Sequence, residues 1–181
     1  MPTYDTLTDA QMEARLTGGE HSIDPYQLRS AVLTVRDRLA VLEASRIVTI
    51  ADATPYAVLA ADSRKTHIVA DQTSSITINL PTAAAGLWYR FVSKAVAAEG
   101  QNWVIVAGAG VFYLGGLTFL DNDAGAGADE VHAGVYPNGS THITMNVVTP
   151  CAGTVVDVFC DGTYWIVQGI INSPTIPTFA T

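Results

Sequence analysis

Four carboxylates fall within ten residues at Asp121, Asp123, Asp129 and Glu130, on the glycine- and alanine-rich run DNDAGAGADE. Ca²⁺ is held by carboxylate and carbonyl oxygens on a backbone free to wrap around the ion, so this loop is the candidate metal site of the chain. Its spacing departs from a helix–loop–helix calcium loop at once. Gly125 stands where a third ligand is needed, and no Glu falls at the twelfth position. A solvated hairpin loop that binds nothing is the competing reading.

Nucleophilic catalysis needs a Ser or Cys beside a base and an orienting group. The histidines are His21, His67, His132 and His142, and no serine stands in a G-x-S-x-G turn. His67 lies among alternating apolar residues of an expected strand, and His132 and His142 lie near the ends of two others. Each reads as a surface histidine or one satisfied within the fold. A carboxylate pair for glycoside hydrolysis can be drawn from Asp71, Asp123 or Asp157, but nothing selects a pair. Cys151 and Cys160 bracket AGTVVDVF, which reads as one strand. Nine strand residues at about 3.3 Å each hold the two thiols roughly 30 Å apart, beyond disulfide reach. Their C-x8-C spacing fits no zinc site. The expectation is a protein with no catalytic residues, no cofactor and two free, inert cysteines.

Aromatic side chains are the other candidate chemistry, as a stacking platform for sugars. Trp88, Tyr89, Phe91, Trp103, Phe112, Tyr113, Tyr164 and Trp165 all fall in or beside expected strands. Trp88 and Tyr89 are adjacent, so one strand sends them to opposite faces. They fit a core and subunit contacts better than one exposed platform.

The elements that carry these residues change character near residue 46. Before it the signals are helical. Thr8-Asp9-Ala10-Gln11 is a capping box and Gly18-Gly19 a stop, predicting a short helix over about 9–16. Asp24-Pro25 opens a second helix over 25–46. In it Leu28, Val32, Val35, Leu39 and Leu42 step by 4, 3, 4 and 3, an a/d seam with a period of 3.5. That seam serves either self-association or packing on the chain's own β-domain; the polar residues around it and its two valines favour the first.

From Arg46 onward the pattern alternates with period two. ITINLPTAAAGLWYRFVSK is the clearest example: Ile76, Ile78 and Leu80 point one way, Thr77 and Asn79 the other, and a Pro- and Gly-punctuated corner leads to an aromatic strand. Further strands are expected up to 164–171. Two of these, 111–114 and 117–120, are split by Gly115-Gly116. Asn138-Gly139 and Asp161-Gly162 are the strongest hairpin signals. The reading is a mainly β fold, an antiparallel sandwich, jelly roll or barrel preceded by N-terminal helices, with no internal repeat. Four segments follow: an arm with a short helix (1–24), the amphipathic helix (25–46), the β-domain (47–171) and an extended C-terminal arm (172–181) that lies on a neighbour or stays mobile.

Charge narrows the partners. Nine Lys+Arg stand against 17 Asp+Glu, a net charge of −8, with hydrophobic content of 49% and charged residues at only 14%. Nucleic-acid binding needs a basic stripe, whereas Arg29, Arg36, Arg38 and Arg46 sit among acids on the helix. No run approaches the roughly 18 apolar residues of a membrane span, and MPTYDTLTDAQ has neither a basic nor an apolar leader region. The apolar surface of such a chain goes either into a β core or into an interface with other subunits, and the few charges favour the second.

SITINLPTAAAGLWYRFV, NWVIVAGAG, the glycine-rich bend before VFYLGGLTFL and the closing FCDGTYWIVQG together resemble the small β-domains of tailed-bacteriophage virion proteins. There an I-T-L-P-x-A-x-x-G segment leads to an aromatic strand and a D-G-T-x-W hairpin ends the domain. The resemblance covers residues 66–171. It implies a non-catalytic, homotrimeric virion component assembled in the bacterial cytoplasm, with the helical seam at the trimer contact. Head decoration (cement) proteins, which bind the major capsid protein, share the pattern with head and tail fibres. The lack of repeats favours a decoration protein; a fibre or baseplate module that reads a host glycan or receptor through loops 121–130 and 136–140 is the alternative.

Overall fold

The computed structural model describes residues 25–44, 46–52, 54–95, 100–122 and 132–181. The arm over 1–24, its expected short helix, and His21 lie outside the described residues. The chain divides into two units, residues 1–45 and 46–181.

In the first unit, helix α1 spans Pro25–Ala44, two residues short of the expected end. Thr34 donates its hydroxyl to the Ser30 carbonyl at 3.0 Å, closing a side-chain bond one turn back. Val32, Leu33, Val35 and Leu39 are all 45–58% exposed. The Leu28 and Leu42 side chains, at the ends of the seam, are outside the described residues.

The second unit holds two sheets facing each other. In chain order its strands are β1 (Ile47–Ile50), β2 (Tyr56–Ala57), β3 (Thr66–Val69), β4 (Ile76–Asn79), β5 (Trp88–Ser93), β6 (Trp103–Val106), β7 (Tyr113–Asp121), β8 (His132–Val135), β9 (Thr144–Val147), β10 (Val155–Cys160), β11 (Trp165–Ser173) and β12 (Thr178–Ala180). Sheet A runs β1-β3-β5-β10-β11-β7-β8, and sheet B runs β12-β9-β6-β4-β2. The fold is mainly β and sandwich-like, but it is not the antiparallel one expected.

Both sheets are mixed. The first six strands alternate between sheets, and each lies parallel to its predecessor in the same sheet: β1, β3 and β5 in sheet A, β2, β4 and β6 in sheet B. Parallel neighbours need a long crossover. Here the crossover is itself a strand of the opposite sheet, so residues 51–65 carry the chain across and back before β3 joins β1. The corners carry Pro55 and Pro81 and lack the Asn-Gly or Asp-Gly pair of a tight hairpin. The chain thus winds repeatedly without a sequence repeat.

The later strands close the winding. Asp161-Gly162 does make a hairpin, between β10 and β11. Its loop is four residues, with Asp161 Oδ1 accepting the Thr163 and Tyr164 amides at 2.7 Å each and Gly162 at φ 106°. Those bonds hold the exposed Asp161 carboxyl below its usual pKa. Asn138-Gly139 behaves differently from its hairpin expectation. It turns the chain from β8 in sheet A to β9 in sheet B, and Asn138 Oδ1 accepts the amides of Ser140, Thr141 and His142. The two strands expected around Gly115 are one, β7, running parallel to β11. Gly115 permits this by taking φ +92°, where a Cβ would overlap the Val167 carbonyl oxygen. The C-terminal segment also departs from expectation. β11 continues to Ser173, and β12 pairs with β9 of the same chain.

The core lies between the sheets. Ile76, Ile78 and Leu80 point inward as their alternation requires. They meet Tyr89, Phe91, Trp103, Tyr113 and Trp165, each at most 1% exposed. Tyr113 donates its hydroxyl to the Ile105 carbonyl at 3.1 Å, and Tyr89 donates to the Leu59 carbonyl at 3.2 Å. Burial raises the pKa of both phenols, that of Tyr89 to about 12. Phe179 of β12 reaches the core edge, its ring 5.8 Å from that of Tyr113 and stacked at 6° on His142.

Candidate functional site

Alternation decides what each strand shows to the outside, and the two sheets differ sharply. Sheet B presents Thr77, Val104, Asn146 and Thr178 in one cross-strand row and Asn79, Val106, Thr144 and Ala180 in the next. Sheet A presents three rows. Trp88, Phe159, Ile166 and Leu114 form the first, and Ile68, Val92, Val155 and Ile170 form the third. Between them runs a polar row, Thr66, Arg90, Asp157 and Gln168.

The charges in that row neutralise each other. Arg90 Nε donates to Asp157 Oδ1 at 2.7 Å and Nη2 donates to Oδ2 at 2.8 Å, a bidentate pair. The Asp157 bond raises the Arg90 pKa. The guanidinium carbon also lies 5.4 Å from the Trp88 ring centroid, tying the polar row to the aromatic one.

At the far side of the same face Tyr136 lies flat across two glycines. A Cβ on Gly116 would meet its Cδ1 at 2.5 Å, and one on Gly134 would meet its Cζ at 2.6 Å. The glycines make a floor for a ring whose residue is still 72% exposed.

His67 is the unusual titratable group. It was expected to be a surface histidine or one satisfied in the fold, yet it is wholly buried and neither ring nitrogen has a hydrogen-bond partner among the described residues. Its neighbours are rings: Phe91, Tyr89 and Tyr56 at 5.2, 5.7 and 6.2 Å, all edge-on. Desolvation lowers its pKa to about 4, opposed by Asp62 and reinforced by Lys65. With its pKa that low and three rings around it, the imidazole packs in the neutral form near pH 7.

The other sequence candidates are scattered. Asp121 ends β7, while Asp123, Asp129 and Glu130 lie outside the described residues. Among the described residues no group of three or more His, Cys, Asp or Glu side chains is placed to hold a metal ion. Asp71 is exposed, whereas Asp157 is nearly buried. Cys151 and Cys160 are free and buried. His142 accepts the Asn138 amide through Nδ1 at 3.1 Å, and the side chain of His132 is not among those described. Trp88 and Tyr89 do face opposite sides, Tyr89 into the core and Trp88 onto the outer face. The expected core role thus holds for Tyr89, Phe91, Trp103, Tyr113 and Trp165. Sequence reasoning missed the Arg90–Asp157 pair and the seat of Tyr136. Two apolar outward positions, Val155 and Phe159, flanking Asp157 were the available signal. Among the described residues no helix is long and apolar enough to cross a membrane.

The described residues offer a sheet face with two apolar rows and self-cancelled charges, and a helix carrying an exposed aliphatic stripe. Neither the family models nor the curated proteins compared with the chain give a match.

Proposed function

We propose that the chain is a non-enzymatic structural protein of a tailed-phage virion, a homotrimeric decoration (cement) protein that binds the major capsid protein on the outside of the head and stabilises it. The observation that carries this reading is the exposed aliphatic stripe of α1, Val32, Val35 and Leu39, joined in one chain to a sandwich-like β unit. Apolar residues at a 3.5 period are covered when helices associate, and three copies of a helix about 30 Å long make a short stalk. The β units would then stand as knobs on the shell, with no nucleic acid or membrane as partner. Cryo-electron microscopy of virions with and without this chain tests the reading. Loss of threefold knobs from the head surface is the expected result. Loss of density from the tail alone, or no change in the particle, overturns it.

One observation favours a second role, recognition of a host glycan by a head or tail fibre. Tyr136 offers an open ring face held on Gly116 and Gly134, the kind of surface a sugar ring stacks on. Retention of Tyr136→Ala virions on host cells at the wild-type level would remove it.

A further inference from the structure

The outer face of sheet A is finished like an interior surface. Along β5, β10 and β11 the outward positions include Trp88, Val92, Val155, Phe159, Ile166 and Ile170, and the sheet's inward positions are the core. A sheet with one solvated face shows polar residues outward, as sheet B does with Thr77, Asn79, Thr144, Asn146 and Thr178 around Val104, Val106 and Ala180. The outer face of sheet A carries two apolar rows with one polar row between them, closer to the pattern of a sheet covered on both sides.

Three features identify what covers the second side. The first is charge. Among the described residues, Arg90 and Asp157 are the only charged side chains at the outward positions of β1, β3, β5, β10 and β11, and they cancel in a bidentate pair. The whole chain carries −8, so two copies repel each other over most of their surface and meet without penalty only through a neutral face. A partner of opposite charge would find nothing on this face to read. The second is size. The five adjacent strands β1, β3, β5, β10 and β11 give four spacings of about 4.8 Å, and strands of about six residues run roughly 20 Å, a face on the order of 400 Å². Standard interfaces take about 800 Å² from each partner, so the face supplies about half of one. The third is exposure, at Ile170 of the interior strand β11, 47% exposed, and Ile47 of the edge strand β1, 62% exposed, the anchors a facing copy would bury.

We infer that the outer face of sheet A is the surface through which β units of two copies of this chain pack on one another. The inference deepens the proposed self-association and rests on that part of the reading; it does not depend on the capsid. The central Arg90–Asp157 row fixes alignment, because a shifted partner would set apolar side chains against paired charges.

The test uses the full purified chain in sedimentation equilibrium and native mass spectrometry. Ile170→Asp, at an exposed position the fold tolerates, is expected to weaken self-association about tenfold or more, while Thr77→Asp on sheet B leaves it unchanged. Gln168→Cys keeps the test independent of that substitution. Its thiol is expected to react with maleimide about tenfold more slowly in the oligomer than after dilution to monomer, and Thr77→Cys to react equally in both. A monomeric wild type at high micromolar concentration overturns the inference and the trimer together. An oligomer lost in Val35→Asp yet untouched by Ile170→Asp, with the thiol of Gln168→Cys freely reactive, overturns the inference alone and leaves the helical trimer standing. Protection of that introduced thiol only when capsids are added would make this a shell-docking face and also overturn it.

Discussion

Arg90 on β5 and Asp157 on β10 stand directly opposite each other and share two parallel hydrogen bonds of 2.7 and 2.8 Å. They are not equally sheltered, since the Arg90 side chain is 44% exposed and that of Asp157 only 10%. Removing either partner leaves the other alone, but with different access to water.

Arg90→Ala is therefore expected to cost more than Asp157→Ala, about 2–3 against about 1 kcal/mol, because it strands the more buried charge. Urea denaturation at pH 7 measures both. Equal costs would mean that the pair contributes no more than a surface ion pair does.

His67 sets a pH window. Its folded pKa of about 4 lies below the ordinary 6.5, so the unfolded chain takes up the proton first as pH falls. The contribution is full above 6.5 and declines between 6.5 and 4, and the loss amounts to about 3 kcal/mol once pH is below 4. His67→Phe, which fits among Phe91, Tyr89 and Tyr56, should hold its stability near neutrality and lose this part of the slope. Denaturant midpoints at pH 7 and 4.5 for the two proteins decide; parallel losses would show that other groups carry the acid sensitivity.

Gly115 and Gly108 separate two costs. Both have φ above +90°, but a Cβ at Gly115 would collide with the Val167 carbonyl while one at Gly108 meets nothing within 4 Å. Gly108→Ala should lose about 1 kcal/mol and Gly115→Ala about 3 or more. Thermal unfolding of the purified variants checks the difference.

Phe179→Ala removes the ring that packs on Tyr113 and His142 and loosens β12 from β9. The expected loss is about 1–2 kcal/mol for a half-buried aromatic. Faster amide exchange along β9, and not along β10, would accompany it if β12 is held as described.

Which face each strand buries was legible from alternation, as with Ile76 and Ile78 against Thr77 and Asn79. Which strand lies beside it was not, because a period of two is the same for parallel and antiparallel neighbours. The local signals worked only where the chain turned back within one sheet: Asp161-Gly162 marked a true hairpin, Asn138-Gly139 a change of sheet. β12 has three residues just after a second proline, too short to alternate visibly. The apolar outer face was hidden for a related reason. Val155 and Phe159 belong to a run that reads only as one strand, and the register is what sets them opposite Val92 and Trp88 on the outer face. His67 could not be recognised as orphaned, since its surroundings come from Tyr56, Tyr89 and Phe91 on other strands.

The position of β11 in sheet A also makes it the joint of that sheet. It is the penultimate strand in the chain, yet it sits between β10 and β7. On one side of it β1, β3, β5 and β10 pair in succession. On the other side β7 pairs with β8, and residues 165–173 alone join that pair to the rest of the sheet. Among the described residues, the second strand of the closing hairpin is what turns two separate ladders into one surface.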